Sequence, residues 1–97
     1  MQKWIIPKSV LNHIYEEHKD LVETLKIRSI MELREAITNI LQNPDETHVD
    51  RFKNNVKYYL KRINNLWVNI ILEDNTVKTA YLIGSKSYRK FKEKRWQ

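Results

Sequence analysis

Val10, Leu11, Ile14, His18, Leu21, Val22 and Leu25 recur at spacings of three and four, the period of a helix with one buried face. The pattern predicts a helix over 7–26. Pro7 suits its first position, and Glu16, Lys19, Asp20 and Glu23 lie on its polar face. A second stripe, Ile30, Leu33, Ile37, Ile40 and Leu41, predicts a helix over 29–42. Ser29-Ile30-Met31-Glu32 has the form of a capping box at its start, and Asn43-Pro44-Asp45 ends it, because the residue before proline avoids helical angles. From Thr47 onward the period falls to about two. Strands are expected over about 47–53, 56–63, 66–73 and 76–83, separated by Asn54-Asn55, Asn64-Asn65 and Asp74-Asn75. Asn and Asp tolerate the positive φ of a tight hairpin turn. The expected fold is therefore α+β: two N-terminal helices packed on a four-stranded antiparallel β-meander, followed by a short helix or tail over 84–97.

Two-residue turns fix the register, and the register decides which side chains share a face. The turns pair Ile70 with Thr79, Val68 with Tyr81, Lys61 with Val68, Asp50 with Tyr59 and His48 with Lys61. One face then carries Ile63, Leu66, Val68, Ile70, Leu72, Val77 and Ile83, and the helices are expected to pack there. The same face is expected to carry His48, Asp50, Lys57, Tyr59, Lys61, Thr79 and Tyr81. Polar groups on a core-side face are costly unless they serve a purpose or reach the rim.

Composition narrows the class. At 97 residues, 41% hydrophobic and 31% charged, the chain reads as a single folded domain over 1–97. It has no cysteine, so disulfides, zinc fingers and cysteine nucleophiles are excluded. A single glycine, Gly84, excludes a P-loop and a dinucleotide fingerprint. No apolar run approaches the ~20 residues of a membrane span, and the apolar stretch in Met1–Pro7 is too short for a signal peptide. A cytoplasmic protein with no membrane attachment is expected. The net charge is +6, and its distribution matters more than its size. Residues 84–97 hold Lys86, Arg89, Lys90, Lys92, Lys94 and Arg95 against Glu93, whereas the rest of the chain is nearly balanced. Such a segment attracts a polyanion through its phosphates. Tyr88, Phe91 and Trp96 are interleaved with the cations, as in base-stacking surfaces. A merely solubilising terminus is the plainer alternative.

His18 sits inside the apolar stripe of the first helix and is expected to face the sheet, either as a satisfied core histidine or as a working one. His13, five residues earlier, is expected on the flank. The run His13-Ile14-Tyr15-Glu16-Glu17-His18 misses the four-residue histidine spacing of helical zinc sites, so no metal is expected, and nothing in the sequence calls for a cofactor. With Lys57, Lys61, Thr79 and Tyr81 on the face His18 addresses, the expected set is an imidazole, two ammonium groups, a hydroxyl and a phenol. RNA can be cut without metal when its 2′-hydroxyl attacks the adjacent phosphorus. That reaction needs a base, an acid and a cation for the transition state, and histidine titrates near neutrality.

Two stretches carry a family resemblance. One is the helix with His18 followed by Ile37-Thr38-Asn39-Ile40-Leu41-Gln42-Asn43-Pro44-Asp45. The other is the strand series Tyr58-Tyr59-Leu60-Lys61, Leu66-Trp67-Val68-Asn69-Ile70-Ile71 and Val77-Lys78-Thr79-Ala80-Tyr81. Over about residues 10–88 the chain resembles the superfamily that groups barnase, EndoU, the tRNA-cutting colicins and RelE, and within it the small phage- and toxin-associated branches. Thr79-Ala80-Tyr81 is similar to the Ser-x-aromatic of colicin D-like tRNases. The resemblance implies a helix-first, antiparallel-sheet, metal-independent ribonuclease. It implies His18 as general acid or base, Thr79 and Tyr81 at the phosphate, and Lys57 or Lys61 as the cation. No second histidine falls in an obvious catalytic place, and no barnase-like Glu/Arg/His set is matched. The expected function is a toxin-type or phage-borne endoribonuclease acting on tRNA or other structured RNA. RNA would be held by Lys86, Tyr88, Arg89, Lys90, Lys92, Lys94 and Arg95, and an acidic inhibitor or antitoxin is the expected protein partner. The alternatives are a non-catalytic RNA-binding module of the same fold, or an interaction protein such as an antitoxin, immunity or phage regulatory factor.

Overall fold

A computed structural model of the chain describes residues 4–97; the first three residues of the segment read for a signal peptide lie outside the described residues. The protein is α+β. Three helices, α1 (Lys8–Glu17), α2 (Lys19–Thr24) and α3 (Ile30–Gln42), precede four strands, β1 (Glu46–Val49), β2 (Val56–Ile63), β3 (Leu66–Glu73) and β4 (Thr76–Ile83), and a last helix, α4 (Ser85–Lys94). The sheet is an antiparallel meander in the order β1-β2-β3-β4. Among the described residues, no helix is long and apolar enough to cross a membrane.

The predicted first helix is two. It breaks at His18, whose φ of −114° and ψ of 63° leave the helical region. The His18 amide still closes α1 on Ile14 O, and its carbonyl opens α2 by accepting from Leu21 N and Val22 N. The apolar stripe runs across the break because Leu11, Ile14 and Leu21 are all fully buried, so periodicity alone gave no sign of it. The second helix starts as expected. Ser29 Oγ accepts from the Glu32 amide at 3.1 Å, and the Glu32 carboxylate accepts from the Arg28 amide at 2.8 Å.

The register is where expectation and structure part. The Asn64-Asn65 turn pairs Ile63 with Leu66, Lys61 with Val68 and Tyr59 with Ile70, as predicted. Asp74 and Asn75 both take positive φ, 53° and 66°, and their turn also forms. A β-bulge then shifts the ladder between Ile71 and Leu72: Leu72 faces Val77, but Ile71 faces Thr79, and Lys78 is the extra residue. A shift of one residue turns every later side chain over. Ala80 and Leu82 therefore point at the helices, and Thr79, Tyr81 and Ile83 point to the opposite face. At the other edge β1 stops at Val49, four residues short of its predicted end, and pairs Thr47 with Tyr59 and His48 with Tyr58. His48 and Asp50 consequently leave the helix side as well.

The sheet thus has two cores. α1–α3 pack on Val68, Ile70, Leu72, Val77 and Ala80, with Tyr59 and Ile63 at the margin. The other face holds a smaller cluster of Tyr58, Leu60, Ile83 and Trp96, with Trp67, Tyr81, Tyr88 and Phe91 packed around it. α4 crosses this second face from the end of β4 to β1, where the backbones of Asp50 and Trp96 pair.

Candidate RNA-facing site

The second face is built around polar groups held in place by aromatic rings. The Tyr88 hydroxyl lies 2.7 and 2.8 Å from the two oxygens of Glu46 and donates to that carboxylate. His48 Nε2 lies 2.8 Å from Glu46 Oε1. The His48 ring stacks on Trp96 at 4.2 Å with the planes 1° apart, and Tyr88 stacks on Trp67 at 4.7 Å. Burial and then the Glu46 carboxylate push the Tyr88 phenol up to about 12. Tyr88 and Trp96, read from the sequence as base-stacking residues, are therefore turned inward. Phe91 is half-buried, stacked on Trp96 at 5.6 Å on one side. A helix lying on a half-apolar sheet face buries its aromatic stripe first, and this leaves the cations outside.

Asp50 anchors the far end. It is 2% exposed. It accepts from the Tyr58 hydroxyl at 2.5 Å and from the Phe52 and Lys53 amides at 3.0 and 3.1 Å, and it lies 3.5 Å from Arg95 Nε. Burial acts to raise its carboxyl, but these donors and the Arg95 charge outweigh it and hold Asp50 below the usual carboxylate range. Burial, with Asp50 adding to it, pushes the Tyr58 phenol up to about 12. A lowered carboxyl adds stability above its unfolded value, about 3.9, and loses it as pH falls through the folded value. Asp50→Asn is expected to cost about 1–3 kcal/mol at pH 7, read from urea unfolding. The gap to the wild type should narrow as the pH is taken below about 4; a gap independent of pH would mean that the carboxylate charge is not what holds the loop.

The sequence-predicted catalytic residues fall into two groups. Lys57 and Lys61 lie on the helix side. Lys61 Nζ reaches Asn43 O at 3.3 Å and Asp45 at 3.4 Å. The Arg62 amide is the main group holding the Asp45 carboxyl below its ordinary value, and Lys61 adds to it. Lys57 lines a polar hollow with Asn54, Asn55, Asp74 and Asn75. The expectation that these lysines share a face with Thr79 and Tyr81 is corrected: the bulge in β4 puts the sheet between them.

His18, by contrast, does meet Tyr81. Their rings stack at 5.7 Å, 28° from parallel, beside the edge strand β4, and Thr79 is two residues along on the same face. His13, expected on the flank, stands edge-on to His18 at 5.8 Å. The helical wheel does not apply across the break at His18. Tyr81 is raised chiefly by burial, against which the Asn69 amide and then the Arg95 charge act to lower it. Its cross-strand neighbour Asn69 is fully buried, and its amide lies against Tyr81 without completing a well-formed hydrogen bond among the described residues.

The cations are on α4. Lys86, Arg89, Lys90, Lys92, Lys94 and Arg95 are all exposed. Ser87, Lys90, Phe91, Lys94 and Arg95 form one stripe of the helix and line a groove of about 450 Å³. The C-terminal carbonyls of α4 are capped by Arg51, whose guanidinium donates to Glu93 O at 2.6 Å and Trp96 O at 3.0 Å. Asp50, Glu46, His48, Arg51 and Asn69 were not read from the sequence as a set; their only signal was a row of polar residues in otherwise apolar strands. Comparison with family models, curated proteins and solved structures finds no match.

Proposed function

We propose that the protein is a small metal-independent endoribonuclease that holds RNA along the outer face of α4 and cuts it beside the His18–Tyr81 pair. The observation that carries this reading is the break at His18, which sets its imidazole on Tyr81 at the sheet edge on a chain whose surplus cations lie along α4. In the reaction the 2′-oxygen bonds to phosphorus and the P–O5′ bond breaks. One group takes the 2′-proton and another returns a proton to O5′, leaving a 2′,3′-cyclic phosphate. His18 is one of these groups, and His13, 5.8 Å away, is the nearest second imidazole. Thr79 and Tyr81 orient the phosphate, and a cation of the exposed α4 series replaces the lysines. The resemblance to the barnase, EndoU, colicin and RelE superfamily supports the same chemistry. Its setting is the cytoplasm, with a structured RNA such as tRNA as substrate and an acidic antitoxin as protein partner.

A second reading, an RNA-binding module without cleavage, is favoured by the position of Lys57 and Lys61 on the far side of the sheet. One experiment separates the two. Bulk tRNA incubated with the protein in excess EDTA is expected to give fragments with 2′,3′-cyclic ends. Intact RNA that is bound, with an affinity whose salt slope flattens by about 0.7 for each α4 lysine contact removed, supports the module. RNA neither cut nor bound sinks both readings.

A further inference from the structure

Phe52 is 76% exposed, the most exposed large hydrophobic residue among those described. An isolated apolar side chain on a surface is ordinary, but the loop that carries this one is not loose. Asp50 is buried and accepts from the backbone amides of both Phe52 and Lys53. The Asp50 carboxylate is itself held by Tyr58 and lies against Arg95. On the other side, the Arg51 amide donates to Arg95 O at 2.6 Å, and its side chain caps α4. A charged group has been taken out of water and fully bonded, and what it fixes is a turn with an aromatic ring at its tip. The surroundings are cationic: exposed Lys53 follows Phe52 directly, and Lys94 and Arg95 end the helix to which the loop is bonded. A flat apolar ring on a preorganised turn, flanked by positive charge, fits a nucleobase beside its phosphates better than it fits a protein partner, whose contact patch would be larger.

We infer that Phe52 is a stacking platform for an unpaired base of RNA, at the end of the track laid by α4. This rests on the RNA reading above and extends it to a single-stranded segment. It also adds a fully presented aromatic ring, where Trp96 is buried, Tyr88 is tied to Glu46 and Phe91 shows only part of its ring in the α4 groove.

The test is binding of a fluorescein-labelled, unstructured RNA oligonucleotide by anisotropy, at several salt concentrations. Phe52→Ala is expected to weaken binding by about 5- to 150-fold, the range of one lost base stack. Its thermal midpoint should stay unchanged, since the ring is exposed. The slope of log K against log salt should also stay unchanged, because stacking releases no counterions. Phe52→Tyr should bind as the wild type does, and Phe52→Leu should resemble Phe52→Ala. Equal binding by wild type and Phe52→Ala overturns the assignment and leaves the RNA reading intact. Wild-type binding by Phe52→Leu overturns stacking in favour of plain apolar contact. A wild type that binds tRNA but not this oligonucleotide overturns the assignment alone, and one that binds neither overturns both readings; capture of a protein by the wild type but not by Phe52→Ala would then mark the ring as a protein contact.

Discussion

Trp96→Ala is expected to lower the thermal midpoint by about 12–40 °C. The ring is 1% exposed and touches four others: it stacks on His48 and Phe91, meets Tyr88 edge-on and tilts against Tyr58. Removing a buried tryptophan costs about 3–5 kcal/mol. A domain of this size shifts by about 4–8 °C for each kcal/mol, and its whole stability is about 5–15 kcal/mol. Trp96→Phe keeps the stack and should lose much less. Truncation after Ser87 removes Tyr88, Phe91 and Trp96 together and opens the second core outright. It is therefore not a clean way to remove the cations. A midpoint within a few degrees of wild type for Trp96→Ala would show that the second face is not a core, whatever its burial.

His18→Ala is expected to slow RNA cleavage by about 10²–10⁴-fold, the usual loss of a general acid or base, while leaving the helical circular dichroism in place. His18 sits between two helices and is only half-buried, so its side chain is not what closes the core there; Leu11, Ile14 and Leu21 are. The rate should be measured in single turnover with protein in excess, which separates chemistry from binding. His18→Asn, an amide that tolerates the non-helical backbone at this position, is the control against local unfolding: it should be as slow as the alanine variant and as stable as the wild type. A folded variant that cuts at full rate would remove His18 from the mechanism.

The order of elements was legible in the sequence, and so was the β2–β3 register, because the two-residue Asn64-Asn65 turn fixes it alone; the apolar alternation of β2, Val56, Tyr58 and Leu60, faces away from the helices. The face of Thr79 and Tyr81 was misread for a specific reason. Val77 and Ala80, both fully buried, are three residues apart, and a strict period of two cannot bury both. That phase break is the sign of the bulge at Lys78, but Thr79, Tyr81 and Ile83 continue the phase of Val77 and hide it. β1 is shorter than expected because Asn54-Asn55 is not a two-residue hairpin turn: Val49 already faces Lys57, and the chain between β1 and β2 is a longer loop. Only three dimensions show Asp50 to be a buried loop anchor, bonded to Tyr58 and reached by Arg95, 45 residues later in the sequence. The contact of His18 with Tyr81 follows from the helix break, and nothing in a continuous apolar stripe announces one. The cationic helix needed no register at all, being a local charge pattern, and it lies on the surface as its composition implied.

The paired backbones at the two margins of the sheet bear on how the molecule behaves at high concentration. A bare outer strand is a template for the next molecule's strand. Here the free side of β4 accepts Ile5 beside Thr76, and the open side of β1 receives Arg95–Gln97 through Arg51 and Val49. Between them, the bulge at Lys78 bends the uncovered stretch of β4 and puts an ammonium group on it. Each margin is thus partly covered by a short piece of the same chain, and the stretch of β4 left open is guarded against strand-to-strand stacking by its bulge and its charge.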